Sequence, residues 1–186
     1  VSASAVSPPS HVSADFIEMH GSALERMRAA WLAGPEAQPY VVPGSGTLAM
    51  EMAAQNLVAP GERALVVDTG YFGDRMTEML RRRGAEVTEL VAEVGAAPPL
   101  EEVAAALGRA DYKALFATHV DTSTGVRVAA RELAGVARDA GVLSVFDGVC
   151  ATGGERFAMA EWGADVYLTA SQKAIGLPAG LALMVV

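Results

Sequence analysis

Two side chains in the last quarter of the sequence could act together in covalent chemistry. Asp147 and Lys173 lie 26 residues apart, and each follows a short apolar run, residues 142–146 and 166–168. A lysine that loses its proton can form an imine with a carbonyl compound, whereas an arginine cannot. By itself, Asp147 is more typical of a helix cap or a turn residue. The presence of Lys173 shifts the balance, and the two residues together are candidates for a catalytic site.

Lys173 is one of only two lysines in a chain that uses twelve arginines. The sequence around it is apolar, which predicts a desolvated amine, and burial favours the neutral form of an amine. The other lysine, Lys113, stands beside Asp111 and Tyr112 at a predicted strand start and is typical of a surface residue. The apolar residues near Lys173 are Leu168, Ala170, Ile175, Leu177 and Ala179.

A glycine-rich turn at residues 44–47 precedes a predicted helix. Backbone N–H groups in such a turn can bind a phosphate, although an ordinary strand-to-helix turn has a similar composition. The same residues fit a dinucleotide fingerprint, with Gly44, Gly46 and Ala49 at the motif positions and Asp68 near the position that binds ribose. From these residues alone, a nicotinamide-dependent dehydrogenase stays open as an alternative.

Other loops contain residues with weaker functional signals. The aromatic pair Tyr71 and Phe72 is more typical of core anchors than of a cofactor platform, and a lone histidine such as His119 is usually a hydrogen-bonded structural residue. The single cysteine, Cys150, excludes an internal disulfide and a cysteine-built metal site. We therefore predict no metal site.

Short apolar runs alternate with helical stretches along most of the chain. This alternation predicts an α/β fold with three α/β/α layers and a mostly parallel sheet, in which ligands bind at the carboxyl ends of the strands. A first helix is expected from about Asp15 to Ala33, ended by Gly34 and Pro35. The predicted strands are 40–42, 64–67, 87–91, 114–117, 142–146, 166–168 and 181–186, and the later helices are 48–58, 73–83, 100–107 and 129–140.

Composition limits the class of protein. With 186 residues, 52% of them hydrophobic, the chain is long enough for one well-packed domain. Its net charge of −8 argues against a nucleic-acid partner, and no apolar run is long enough to suggest a membrane span. We expect a cytoplasmic location. The apolar run 181–186 at the end of the sequence leads us to expect a longer parent protein.

In their order and spacing, these motifs resemble those of class V aminotransferases of fold type I, particularly the alanine–glyoxylate and serine–pyruvate branch. The strongest matches are residues 171–174 (Ser-Gln-Lys-Ala) and 145–149 (Val-Phe-Asp-Gly-Val), and residues 121–125 are similar to the family's Glu-[Ser/Thr]-Ser-Thr-Gly loop. The resemblance covers residues 15–186. It implies that residues 1–186 form the cofactor-binding large domain, without the C-terminal small domain that supplies the arginine for the substrate carboxylate.

The resemblance also implies a cofactor, pyridoxal 5′-phosphate, and a role for each matching residue. Lys173 would form the imine with the cofactor, and Asp147 would pair with the pyridine nitrogen and keep it protonated, so that the ring accepts electrons. The other implied contacts are Ser45, Gly46, Thr47 and Gln172 at the phosphate, Phe72 stacked on the ring, Thr122 near the ring hydroxyl and Val149 on the opposite ring face.

The implied activity is amino transfer from a small amino acid, similar to alanine or serine, to a 2-oxo acid or glyoxylate by a homodimer. Two residues depart from the family pattern. Asp121 stands where the family has glutamate, and Thr47 stands where several relatives have histidine. These departures make the substrate harder to assign. A phosphonate transaminase, lyase or desulfurase on the same fold is an alternative. A desulfurase is disfavoured because those relatives stack a histidine on the ring, where this chain has Phe72. A dehydrogenase would leave Asp147 and Lys173 unexplained.

Overall fold

Seven strands form one sheet in the computed structural model, which describes residues 5–186. Their order across the sheet is β1, β7, β6, β5, β4, β2, β3. Within the described residues, β7 is the one strand that runs against the others, and it pairs antiparallel with β6 and with β1. The strands are β1 (Pro39–Pro43), β2 (Arg63–Asp68), β3 (Glu86–Val91), β4 (Ala114–Thr118), β5 (Leu143–Asp147), β6 (Val166–Ala170) and β7 (Leu181–Val185).

Helices cover both faces of the sheet and give the fold its three layers. The face packed against α2 and α3 is called here the α2/α3 face, and α1, α4, α5 and α6 pack against the opposite face. The mostly parallel three-layer arrangement confirms the predicted fold class. The helices are α1 (Ala14–Ala30), α2 (Gly46–Leu57), α3 (Tyr71–Arg82), α4 (Leu100–Leu107), α5 (Ala130–Asp139) and α6 (Met159–Trp162).

The central strands are apolar throughout because both of their faces are buried. Alternate side chains of a strand point to opposite faces. Accordingly, Val66 and Phe116 pack in the core of the α2/α3 face, whereas Val67 and Phe146 pack in the core on the other side. This double burial explains why residues 64–67, 114–117 and 166–168 of β2, β4 and β6 appear in the sequence as continuous apolar runs.

Two details of the helices differ from the sequence-based expectation. The first helix ends at Ala30 and not at Ala33, because Trp31 caps it and Leu32 adopts a left-handed backbone with φ of 48°. The four-residue helix α6 was not predicted, since one helical turn is too short to have a detectable apolar period. Among residues 5–186, no helix has the length and apolar character needed to cross a bilayer.

Candidate active site

Polar side chains form a row at the carboxyl ends of three neighbouring strands. Strand pairing sets Thr118 directly beside Asp147, and Asp68 follows Val67, which pairs with Ala117. All three side chains lie on the α2/α3 face, because they are two residues beyond Val66, Phe116 and Val145 of that core. The sheet therefore places the carboxylate of Asp147, which ends β5, at the edge of the sheet where α2 and α3 begin.

Asp147 is buried at the end of β5, with only 5% of its surface exposed. Its Oδ1 accepts a hydrogen bond from the Val149 N–H at 2.9 Å. Burial raises the pKa of Asp147 to about 6, the Val149 N–H opposes this, and the charge of Asp121 adds to it. A cationic N–H donor next to this carboxylate would offset its desolvation. The geometry therefore favours a protonated nitrogen base as a partner.

Asp68 is a second buried carboxylate at this edge, and it faces other acids. Its carboxylate oxygen lies within 4.8 Å of ligand atoms of Asp74 and Glu89. Burial raises the pKa of Asp68 to about 6, and the negative charges of Asp74 and Glu89 add to this rise. The Gly70 N–H, which donates a hydrogen bond to Asp68 Oδ1 at 2.8 Å, opposes it. The side chain of Asp68 is thus directed towards α3.

The substitution Asp68→Asn is expected to stabilise the fold in a pH-dependent way. In the folded state the pKa is raised above the unfolded value of 3.8, so the cost of the buried charge is present above pH 6 and is relieved as the pH falls from 6 towards 3.8. Asparagine can still accept the Gly70 N–H without the charge. We expect the free energy of unfolding to rise by roughly 1–3 kcal/mol at pH 8, with a gain that is clearly smaller at pH 4.5 and is lost below the unfolded pKa of 3.8.

Urea unfolding at pH 8 and pH 4.5 measures this effect directly. Asp111→Asn, at an exposed residue near the start of β4, is the matched control and should change little at either pH. A stabilisation by Asp68→Asn that is equal at both pH values would contradict the electrostatic explanation.

The first turn of α2 provides hydrogen-bond donors at the same edge. Ser45 is the N-cap, and its Oγ accepts the Leu48 N–H at 3.3 Å. The N–H groups of Gly46 and Thr47 belong to the first turn, where no intrahelical acceptor exists. Gly46 is buried, and a Cβ at this position would lie 2.7 Å from Val149 Cγ2. A glycine is therefore required for the close approach of α2 to the loop after Asp147.

The loop before α3 is tied to the loop after β4 by Asp121. This fully buried carboxylate accepts the Phe72 N–H at 3.1 Å through Oδ2 and the Ser123 N–H at 2.9 Å through Oδ1. The Ser123 Oγ in turn accepts the Tyr71 N–H at 3.0 Å. Asp121 thus fixes the half-buried Phe72 at the helix start, and the adjacent Thr122 is left exposed on the turn.

Arg75 also belongs to this site, although the sequence reasoning missed it. Its guanidinium donates to Thr47 Oγ1 at 3.0 Å and to the Tyr71 hydroxyl at 2.6 Å. It lies over the rings of Tyr71 and Phe72, at 4.8 and 5.5 Å from their centroids. The four-residue spacing from Tyr71 to Arg75 places both on one side of α3 and was the available signal.

Lys173 lies in the loop between β6 and β7, where it is exposed. The expectation that apolar neighbours bury its amine is wrong for this structure. Leu168 and Ala170 are buried within β6, but Lys173 comes three residues after the strand end, in a turn closed by the Gly176 N–H to the Lys173 carbonyl at 2.9 Å. Neighbours in a sequence are not neighbours in space once the chain leaves the strand.

The loop that contains Lys173 nevertheless lies between the turn before α2 and the loop that follows Asp147. Gly180, at its end, accepts the Gly44 N–H at 2.7 Å and so joins it to the turn before α2. Ala174 lies 3.5 Å from the position of a Cβ on Gly153, in the loop that follows Asp147. Gln172 is exposed beside Lys173. Within residues 5–186, no hydrogen bond or ion pair joins Lys173 to Asp147.

The strand order argues against the dinucleotide interpretation of residues 44–49. In a dinucleotide-binding fold the fingerprint follows a central strand of the parallel sheet. Here it follows β1, which is an edge strand and pairs only with antiparallel β7. Asp68 also points into the acidic cluster with Asp74 and Glu89. The dehydrogenase alternative is therefore wrong.

His119 has a structural environment on the opposite face. Its Nδ1 lies 3.3 Å from the Tyr167 hydroxyl, and its ring packs edge-on against Phe157 at 5.6 Å. Burial lowers the pKa of His119 to about 4, so the ring is neutral at pH 7. Thr152 Oγ1 donates to the Gly148 carbonyl at 2.7 Å and lies 3.4 Å from the Tyr167 hydroxyl. This network supports the turn after Asp147 from the side of the sheet opposite the α2/α3 face.

The donor set at this edge fits pyridoxal phosphate. A phosphate needs hydroxyl and N–H donors, which Ser45, Gly46 and Thr47 offer at a helix N-terminus. A pyridine nitrogen needs a carboxylate, which Asp147 offers from a buried position. An aldehyde needs an amine, and Lys173 lies in the loop between them. The close contact at Gly46 shows that this cradle has no room for a larger residue.

Comparison with known proteins identifies the family. A family model described as aminotransferase class-V matches residues 1–186. The chain belongs to this family. It is 39% identical over 181 residues to alanine–glyoxylate aminotransferase 1 of Saccharomyces cerevisiae, covering 93% of this chain and 47% of that protein. It is 35% identical over 180 residues to L-aspartate–glyoxylate aminotransferase of Paracoccus denitrificans, covering 94% and 45%.

Solved structures of aminotransferases have the same fold. Alanine–glyoxylate aminotransferase from Nostoc sp. superposes with a TM-score of 0.90 at 32% identity, covering 96% of this chain and 47% of that one. An aspartate aminotransferase from Thermus thermophilus gives 0.90 at 31% identity, covering 98% and 51%. The chain thus spans about half the length of the relatives it matches.

Proposed function

We propose that this class V aminotransferase uses pyridoxal phosphate to move an amino group from a small amino acid to glyoxylate or another 2-oxo acid. The names of its relatives support the acceptor, because alanine–glyoxylate, aspartate–glyoxylate and serine–glyoxylate aminotransferases share glyoxylate and differ in the donor. The donor is therefore assigned only as a small amino acid.

One observation carries the proposal. The loop that holds Lys173 touches the turn before α2 at one end and the loop after Asp147 on its side. A nucleophilic amine, a buried carboxylate and a set of anion-binding N–H groups therefore share one edge of the sheet. Each group alone has an ordinary structural explanation, whereas their meeting at the carboxyl ends of parallel strands is typical of a ligand site.

The roles of the residues follow from their chemistry. Bound pyridoxal phosphate would supply an aldehyde and a ring that accepts electrons. Lys173 Nζ would hold the cofactor covalently and could also take the proton from the substrate Cα. Asp147 would accept a hydrogen bond from the ring nitrogen and keep it protonated. Ser45, Gly46, Thr47 and Gln172 would bind the phosphate, Phe72 and Val149 would contact the two ring faces, and Thr122 would approach the ring hydroxyl.

Chemical trapping tests the proposal. The purified full-length protein is incubated with pyridoxal phosphate and reduced with borohydride, which converts the link to a stable amine. Peptide mapping by mass spectrometry is expected to find the cofactor on the peptide that contains Lys173.

The second lysine of the chain provides the matched control. Lys113 lies exposed at the start of β4, and Lys113→Arg should leave the labelling unchanged, whereas Lys173→Arg should remove it. Labelling that persists in Lys173→Arg, or that falls on Lys113 in the wild type, would overturn the proposed function.

A further inference from the structure

Arg75 bridges the starts of α2 and α3. It reaches Thr47 on the first turn of α2 at 3.0 Å and the Tyr71 hydroxyl on its own helix at 2.6 Å. Its guanidinium also covers the ring of Phe72 at 5.5 Å. The side chain is half-buried, so its position is defined by these three contacts.

The contact with Thr47 leaves the hydroxyl proton of Thr47 free. A guanidinium has only donors, so Thr47 Oγ1 must be the acceptor in this hydrogen bond. A hydroxyl that accepts through its oxygen still has one proton to donate. Because Thr47 is in the first turn of α2, that proton can be donated to the same anion that the N–H groups of the helix start would bind.

The charge of Arg75 is not neutralised by an ion pair. Seven arginines among residues 5–186 pair with carboxylates, and Arg75 is not one of them. Both of its hydrogen-bond acceptors, Thr47 and Tyr71, are neutral hydroxyls. In a chain with a net charge of −8, this places a guanidinium without a salt-bridge partner beside the cradle formed by Ser45, Gly46 and Thr47, where its charge also opposes the rise in the pKa of Asp147.

We propose that Arg75 supplies the positive charge of the phosphate site, acting on the cofactor's phosphate through Thr47 and through its own field. Arg75 is thereby a positioning residue that sets the preference for a phosphorylated over an unphosphorylated pyridoxal. This inference rests on the proposed function and deepens it.

The test compares two ligands that differ only in the phosphate. Dissociation constants for pyridoxal phosphate and for pyridoxal are measured by absorbance titration of the wild type and of Arg75→Met. Loss of a charged partner should weaken pyridoxal phosphate binding by about 10- to 100-fold, whereas pyridoxal binding should change by less than about 3-fold. Thr47→Val should lower the same preference, and its effect should not add to that of Arg75→Met.

Arg82→Met, at an exposed arginine of the same helix, is the matched control. It should leave the dissociation constants of both ligands unchanged. Equal weakening of both ligands by Arg75→Met, or no weakening, would overturn the inference while leaving the proposed function intact. A wild type that binds neither ligand would overturn both. If Arg75→Met fails to fold by circular dichroism, Arg75→Lys carries the test, with an expected loss of roughly 3- to 10-fold for pyridoxal phosphate only.

Discussion

Replacing Lys173 by alanine is expected to reduce amino transfer by roughly 10³-fold or more, because in the proposed function the same amine holds the cofactor and moves the substrate proton. The measurement is the rate of keto-acid formation from alanine with glyoxylate as acceptor, in protein saturated with pyridoxal phosphate. The fold should not suffer, since Lys173 is exposed and its loop is held by backbone hydrogen bonds.

Two further substitutions separate chemistry from charge. Lys173→Arg keeps the positive charge but cannot act as a nucleophile, so it should be as inactive as Lys173→Ala. Lys113→Ala, at the other lysine of the chain, should keep full activity. If Lys173→Ala retained more than about a tenth of the wild-type rate, the proton-transfer role of the amine would be refuted.

The second large effect is expected from Gly148→Ala, directly after the carboxylate at the end of β5. A Cβ at this position would overlap the Cζ and hydroxyl oxygen of Tyr167. Tyr167 is fully buried and packs against Phe157 at 4.1 Å and Trp31 at 5.9 Å, so its ring cannot move aside. We expect a loss of about 3 kcal/mol in the free energy of unfolding, measured by urea denaturation.

Gly21→Ala is the matched control for this effect. Gly21 lies in α1 and has no atom within 4 Å of an added Cβ, so alanine should stabilise the helix by roughly 0.5–1 kcal/mol. Opposite signs for the two glycine substitutions are the expected result. Unchanged stability of Gly148→Ala would show that the turn after Asp147 can shift, and would weaken the case for a rigid carboxylate.

Much of the fold was predictable because buried parallel strands have a simple pattern. Residues 64–67, 114–117 and 166–168 are apolar throughout, and each is a strand buried on both faces. The strand order was not predictable, because it depends on pairings between distant segments. The edge position of β1 and the reversed direction of β7 follow from no local feature of the sequence.

The candidate site was predictable as a set of loops but not as a set of contacts. Asp147 was recognised because it stands 26 residues before Lys173, one of only two lysines in the chain. Arg75 was missed because it resembles any other helix arginine until Thr47 is placed beside it. The burial of Lys173 was predicted wrongly from neighbours in sequence. The individual cofactor contacts, homodimerisation and a cytoplasmic location stay predictions.

The pairing of β1 with β7 determines when, during folding, the proposed ligand site can form. Pro39 pairs with Val185, so this pairing joins two segments that are far apart in the sequence. Contacts between such distant residues form late, because a large loop must be closed first. The anion-binding turn begins where β1 ends, at Pro43. On the ribosome, this turn can take its final position only after β7 has been synthesised, well after residues 44–47 themselves have been made.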